Sequence, residues 1–303
     1  MSVVAIVNPI KVDDESALRR RLDTAAEQYE LGELRWYTTT PEDPGIEAAE
    51  RAASEGAALT VVVGGDGTVR AAVAGLAGSG VPLGIIGRGT GNLLARNLRI
   101  PLETTAAIAT AFGGVDRPVD VVDLALGRGR HEISTVMAGM GWDASMMAVS
   151  DEAKARLGWG AYAVQAVRTV RDHPIRLRVQ VDDGEEQSFF ARMCLIANVG
   201  TLVGGIELLP EARPDDGLME VLVFEPTTTS DYVRSSWGVL RGSDHDRDPA
   251  RTVLRGRKIV VTTPAARPRQ VDGDLIDEGH GFVARIKPGA LVVRVPSGQG
   301  TSL

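Results

Sequence analysis

The stretch from Leu59 to Val69, LTVVVGGDGTV, constrains what this chain can fold into more than any other. Its β-branched run reads as a buried strand, and the run stops at Gly-Gly-Asp-Gly-Thr. Val69, Ala72, Val73 and Leu76 then recur at helical spacing. Taken alone, GGDGT is adequately explained as punctuation, because glycines end a strand while Asp and Thr suit a helix start. A second loop changes that balance. Gly87 to Asn92, GRGTGN, again follows an apolar strand, VPLGIIG, and opens a helical segment, NLLARNL. The spacing fits one βαβ crossover. Two parallel strands joined in this way present both loops at the same sheet edge, where open α/β folds place their ligands.

The surrounding segments repeat the alternation. Val3 to Val7 reads as a strand, and Asp14 to Tyr29 as a helix with Leu18, Leu22, Ala25 and Ala26 on one face. ELRWYTT reads as a second strand and residues 44–55 as a second helix. This order implies a doubly wound parallel sheet over residues 1–122. After VDVVDLAL the texture changes to short strands: HEISTVMAGM, IRLRVQVDDGEEQSFFARMCLIANV, LMEVLVFE, KIVVTT and LVVRVP. VQVDDGEEQSFF reads as a hairpin turning at Asp-Asp-Gly. Helices are expected at about 149–172 and 230–240. Residues 123–303 therefore read as a β-rich, sandwich-like second domain, its last residues packing back on the first.

Charge narrows the partners. With 33 Lys+Arg against 40 Asp+Glu, a net −7, the 303-residue chain does not suit a general nucleic-acid binder. An anionic ligand must be met locally. The one cysteine, Cys194, lies in an apolar run and reads as a small core residue. The opening MSVVAIVNP lacks a leader's charged stretch, and no apolar run approaches the ~20 residues of a membrane span. A cytoplasmic protein, at most peripheral to the inner membrane face, is expected.

The glycine loops suit phosphate. Without Cβ atoms at Gly64, Gly65, Gly67, Gly87, Gly89 and Gly91, backbone amides and helix N-termini can close on a phosphate chain, a cradle built twice. Asp66 would repel that ligand unless a magnesium ion bridged carboxylate and phosphate, so Asp66 is the candidate on the metal side. The chain has no Gly-Lys pair for a Walker loop, and Asn92 replaces the third glycine of a dinucleotide fingerprint. There is no Gly-x-Ser-x-Gly elbow, and His131, His173, His245 and His280 lack metal spacing.

GGDGT followed by PLGIIGRGTGNLLAR resembles the catalytic domain of the diacylglycerol kinase family, which includes the sphingosine kinases. VNP at Val7–Pro9, VDVVDLA, MGWDA, NVGTLVGGIELLPEARPDDGLMEV and VDGD extend the resemblance along most of the chain. It implies a two-domain kinase using ATP and Mg²⁺, with a lipid hydroxyl as acceptor at the membrane surface. On the same basis Gly64, Gly65, Gly67, Thr68, Gly89, Thr90, Gly91 and Asn92 would bind nucleotide phosphates, with Asn8 beside them. A structural magnesium would take the Asp216 side chain and the carbonyls of Arg213 and Leu218, and Asp272 would be the general base. Two positions depart from the pattern: Leu93 stands where bacterial members often carry Asp, and Asp274 where Glu is usual.

Other readings remain at this level. An NAD kinase shares a GGDGT loop, though this chain lacks an evident Asn-Glu pair; a non-catalytic lipid or nucleotide sensor of the same fold is the alternative from another class. A homodimer is compatible with the sequence, which does not specify one. Asp-Asp-Gly in RPDDGL and Asp-Gly in VDGD are also good turn sequences. Residues 247–269 hold seven basic residues against Asp248, a run that reads as a solvated face or a contact for anionic headgroups.

Overall fold

The computed structural model describes residues 2–141, 174–202, 207–226, 228, 231 and 248–298. The helices expected at 149–172 and 230–240, and most of the MGWDA motif, lie outside the described residues. The chain divides into two compact units. One comprises residues 1–121, 214–216 and 287–303, the other residues 122–213 and 217–286.

In the first unit β1 (Ser2–Val7), β2 (Glu33–Thr38), β3 (Leu59–Gly64) and β4 (Pro82–Gly87) form a parallel sheet in the order β2-β1-β3-β4. Every residue of β3 is buried, as befits a central parallel strand covered on both faces. Helices α1 (Glu15–Gln28), α2 (Ile46–Ser54), α3 (Asp66–Leu76), α4 (Leu93–Asn97) and α5 (Thr104–Gly113) complete the layers. Asp14 starts α1 by accepting the Ala17 N–H at 2.8 Å, an N-cap in its usual role. Leu18, Leu22, Ala25 and Ala26 then pack on Val3, Ala5, Val7, Val61 and Val63 together with Ala107, Ala111 and Phe112 of α5. The sequence reading did not anticipate α5, TTAAIATAFG. Its near-continuous apolar run lacks the polar face that marks a helix, and the Glu103 carboxylate starts it by accepting the Thr105 and Ala106 amides at 2.8 Å each.

The second unit is antiparallel. The division falls inside β5 (Val115–Gly127), which pairs with β6 (Arg130–Ser134). There follow β7 (Met137–Gly141), β8 (Ile175–Val181), β9 (Gln187–Ala191), β10 (Met193–Ala197), β11 (Met219–Phe224), β12 (Arg251–Gly256), β13 (Lys258–Val271) and β14 (Asp274–Val295). HEISTVMAGM, read as one strand, is two, β6 and β7. The break at Thr135-Val136 has a reason described below. β13 pairs with β8 through Ile259 to Thr262 and with β7 through Arg269 to Val271, with a register shift between. One strand therefore serves both layers, whose inward residues Leu177, Val179, Val261 and Phe282 meet Met140, Cys194, Ile196 and Val221. The end of β14 returns to the parallel sheet, where Val292 and Val293 pair with Pro82 and Leu83.

The basic run at 247–269 is not one solvated face. Arg251 donates to the Leu208 carbonyl, Arg255 pairs with buried Glu220, and Arg269, 4 % exposed, grips Asp277 through Nε and Nη2 at 2.8 and 2.7 Å.

Helix α3 meets α2 through Gly75. A Cβ there would lie 2.6 Å from Ala49 Cβ and 2.8 Å from both the Glu50 nitrogen and the Ile46 oxygen. Two of these neighbours are backbone and cannot turn aside. Gly75→Ala should therefore destabilise the protein by about 1–3 kcal/mol despite alanine's better helix propensity. An unchanged or raised denaturant midpoint would show that the helices separate freely.

Candidate functional site

At the C-terminal ends of β3 and β4 the two glycine loops pack backbone against backbone. A Cβ on Gly89 would lie 2.8 Å from the Gly65 Cα, and one on Gly64 would lie 2.6 Å from the Thr68 Cβ. The Arg88 N–H donates to the Gly64 carbonyl at 2.8 Å, joining the loops just beyond the strand ladder. No larger residue fits these approaches.

Asp66 ties the two loops together. Its Oδ2 accepts the Asn92 N–H at 2.8 Å and its Oδ1 the Leu93 N–H at 2.6 Å. Asn92 sits at φ 46° with its own amide folded back, Oδ1 accepting from Gly89 N–H at 2.8 Å and Nδ2 donating to Gly89 O at 2.7 Å. The start of α4 is thus filled by the protein's own carboxylate, and the second loop is largely satisfied from within. The two loops are not equivalent in their internal bonding: GRGTGN is tied by Asp66 and Asn92, while GGDGT carries fewer bonds of this kind. α3 begins at Gly65 with no side-chain cap, so the amides of its first turn, from Asp66 to Thr68, have no acceptor within the helix. Eleven residues of aligned peptide dipole stand behind them.

Asn8 belongs to the same edge. Its N–H donates to the Val63 carbonyl at 2.9 Å, its Oδ1 accepts from Ile10 at 3.1 Å, and its Nδ2 lies 3.5 Å from the Thr68 Oγ1. Thr90 is exposed, while the Gly91 carbonyl accepts from Arg96 Nε at 2.8 Å. Asn8, Gly64, Gly65, Gly67, Thr68, Gly89, Gly91 and Asn92 therefore come together as one constellation with Asp66 at its centre. A carboxylate has about four acceptor positions, and the two amides leave Asp66 able to receive a metal-bound water as well.

Asp272 occupies the β13–β14 turn of the second unit. With Asp272 at φ 50° and Gly273 at φ 93°, both central residues adopt the left-handed geometry of a tight hairpin. The side chain does far more than a turn requires. Asp272, 7 % exposed, accepts Ser134 Oγ at 2.6 Å and the amides of Val136 and Met137 at 3.0 Å each on Oδ1, and the Thr135 amide at 3.1 Å on Oδ2. Its own N–H donates to the Met137 carbonyl at 2.7 Å. This carboxylate is why HEISTVMAGM breaks into two strands. Asn198 reinforces the turn through its Nδ2 to Thr135 O at 3.2 Å, and Gln270 Oε1 accepts the Gly273 N–H at 2.9 Å. The sequence reading missed Ser134 and Asn198, for which no local signal exists; Ser134 is 138 positions from its partner.

The third set lies on the loop 213–218. The Pro214 carbonyl accepts from Asp120 N–H at 2.7 Å, Asp215 pairs with Arg117 at 2.6 Å, and Gly217 takes φ 72°. Asp120, 2 % exposed and not singled out from sequence, accepts the Gly289 amide at 2.7 Å. Among the described residues no three His, Cys, Asp or Glu side chains form a metal-holding group.

The Asp272 geometry generates a test. Asn at this position, which a plain hairpin turn would accept, must aim its NH₂ at Thr135 N–H or at the three donors on the other oxygen. Donor then faces donor in a buried site, at a cost of about 1–3 kcal/mol. Asp272→Asn should lower the denaturation midpoint accordingly; an unchanged midpoint would mean the four bonds contribute little.

Comparison with known proteins places this chain in a family. Residues 2–124 match the model of the diacylglycerol kinase catalytic domain, and residues 134–295 match that of the YegS C-terminal NAD kinase beta sandwich-like domain. A Pseudomonas aeruginosa protein named "Probable lipid kinase YegS-like" is 31% identical over 279 residues, 90% of this chain and 89% of that protein. The diacylglycerol kinase of Bacillus subtilis is 26% identical over 276 residues, 89% and 88% of the two chains. The crystal structure of a diacylglycerol kinase from Bacillus anthracis superposes with a TM-score of 0.77 at 23% identity, covering 98% of this chain and 97% of that one. With both halves matched in order and a relative above 30% identity along nine-tenths of its length, this chain belongs to the diacylglycerol kinase catalytic-domain family of YegS-like lipid kinases.

Proposed function

We propose that the protein transfers the γ-phosphoryl group of ATP to the hydroxyl of a lipid, an acceptor of the diacylglycerol or sphingoid kind, at the inner face of the membrane. The observation that carries this reading is the uncapped start of α3 between two interlocked glycine loops, in a chain whose relatives are named lipid kinases. Phosphoryl transfer asks for positioning and charge neutralisation rather than covalent chemistry by the protein. The amides of Gly65 to Thr68 hold phosphate oxygens, and Asn8 and Thr68 bound the site. The second loop, latched by Asp66, keeps the first from collapsing or opening.

Magnesium bound beside Asp66 supplies the charge neutralisation that a polyphosphate needs. On this reading the Asp216 carboxylate and the carbonyls of Arg213 and Leu218 would hold a second, structural magnesium, on a loop whose Pro214 and Asp215 bond Asp120 and Arg117. The acceptor's proton passes to Asp272 on this reading. Three of the four donors to that carboxylate crowd Oδ1 and one meets Oδ2, so Oδ2 is the less engaged oxygen, and on Oδ1 the Ser134 hydroxyl is the donor that can turn or reverse its polarity.

Purified protein incubated with γ-labelled ATP, Mg²⁺ and extracted membrane lipids should carry label into the organic phase. The same protein should leave NAD⁺ unlabelled. Label on NAD⁺ with none in the lipid fraction would overturn the reading in favour of an NAD kinase.

A further inference from the structure

We infer that Arg88 is the cation that meets the polyphosphate chain, filling the place a lysine takes in Walker loops; the inference rests on the nucleotide-binding reading above. Arg88 is the only basic residue within GGDGT and GRGTGN, in a chain with no Gly-Lys pair. Its backbone is fixed: the N–H donates to Gly64 O at 2.8 Å, and the pairing of Gly64 with Gly87 sets Arg88 alongside Gly65, where α3 begins. Gly87 and Gly89 flank it, so neither neighbour on the loop has a side chain to crowd the guanidinium.

The side chain lacks the partners an arginine normally finds. Its Nε is buried without a hydrogen bond, and among the described residues no hydrogen bond or ion pair engages the guanidinium. Buried donors are almost always satisfied, which points to a partner that is not part of the chain. The acid on the same loops, Asp66, is already held by the Asn92 and Leu93 amides. A planar fork of donors carried on the loop whose backbone bonds Gly64 suits phosphate oxygens, which it can take two at a time. It also answers the acidity of the whole chain, net −7, by placing fixed positive charge where the anion arrives.

The test separates this inference from the one beneath it. Affinities of wild type, Arg88→Ala and Arg88→Lys for ATP and for inorganic tripolyphosphate would be measured by calorimetry in Mg²⁺ at fixed salt. Wild type should bind both. Arg88→Ala should lose about tenfold to a hundredfold for each ligand, the range for a charge-assisted hydrogen bond, with Arg88→Lys in between. Because the side chain has no partner to lose, Arg88→Ala should melt at or above the wild-type temperature; a fall of several degrees would mark Arg88 as structural and sink the inference. Equal tripolyphosphate affinity in wild type and Arg88→Ala would also overturn it while leaving nucleotide binding in place. Absence of binding by wild type to either ligand would overturn the nucleotide reading itself, and this inference with it.

Discussion

The Asp66 carboxylate, bonded to the amides of Asn92 and Leu93, is the interaction on which the rest of the first unit's edge depends. β3 and β4 run side by side, but nothing in a parallel ladder obliges their exit loops to stay in register once the strands end. The glycines let the loops pack backbone against backbone. Asp66 holds them there by satisfying two amides at the start of α4 while sitting in the first turn of α3, where its own negative charge faces a positive helix end. The result is an asymmetric pair of helix starts. One is closed by a protein carboxylate and the other has no side-chain cap.

Asp272 solves a similar problem in the second unit. Four donors from Ser134 to Met137 converge on one carboxylate and fold a would-be continuous strand into a turn. Burying a carboxylate is costly unless it is hydrogen-bonded, and here both oxygens accept from the Ser134–Met137 segment. Such a group is well oriented and hard to move. The same bonds that make it a firm anchor weigh against protonation of Oδ1, which three donors share, and leave Oδ2 with one.

Much of this was legible in the sequence because it is written in local patterns. The two glycine loops, the alternation around them, the β-rich second half and the Asp272-Gly273 turn all follow from periodicity and backbone preference over a few residues. What escaped was non-local. Helix α5 hid because Ala107, Ala111 and Phe112 bury one face while its other positions are small and apolar too, erasing the amphipathic signature. The partition of HEISTVMAGM depends on a residue more than 130 positions away, and the basic run at 247–269 dispersed because its arginines find Leu208, Glu220 and Asp277 on other segments. Asp66 was legible as important but not as a latch. Its partners are backbone amides, which every residue has and no sequence displays.

That last point decides what the departure at Leu93 means. Leu93 contributes its N–H to Asp66, and a backbone donor survives any side-chain exchange other than proline, so the latch is indifferent to the loss of an acid there. The Leu93 side chain is buried and apolar, however, and brings no second carboxylate to the start of α4. On the kinase reading, the burden of balancing a polyphosphate therefore shifts. With fewer carboxylates to recruit cations, more of the compensation must come from fixed positive charge on the protein, in the first-turn amides of α3 and a cation beside them. An unpaired arginine inside a glycine loop, unfavourable for the empty site, is the kind of residue such a shift would retain.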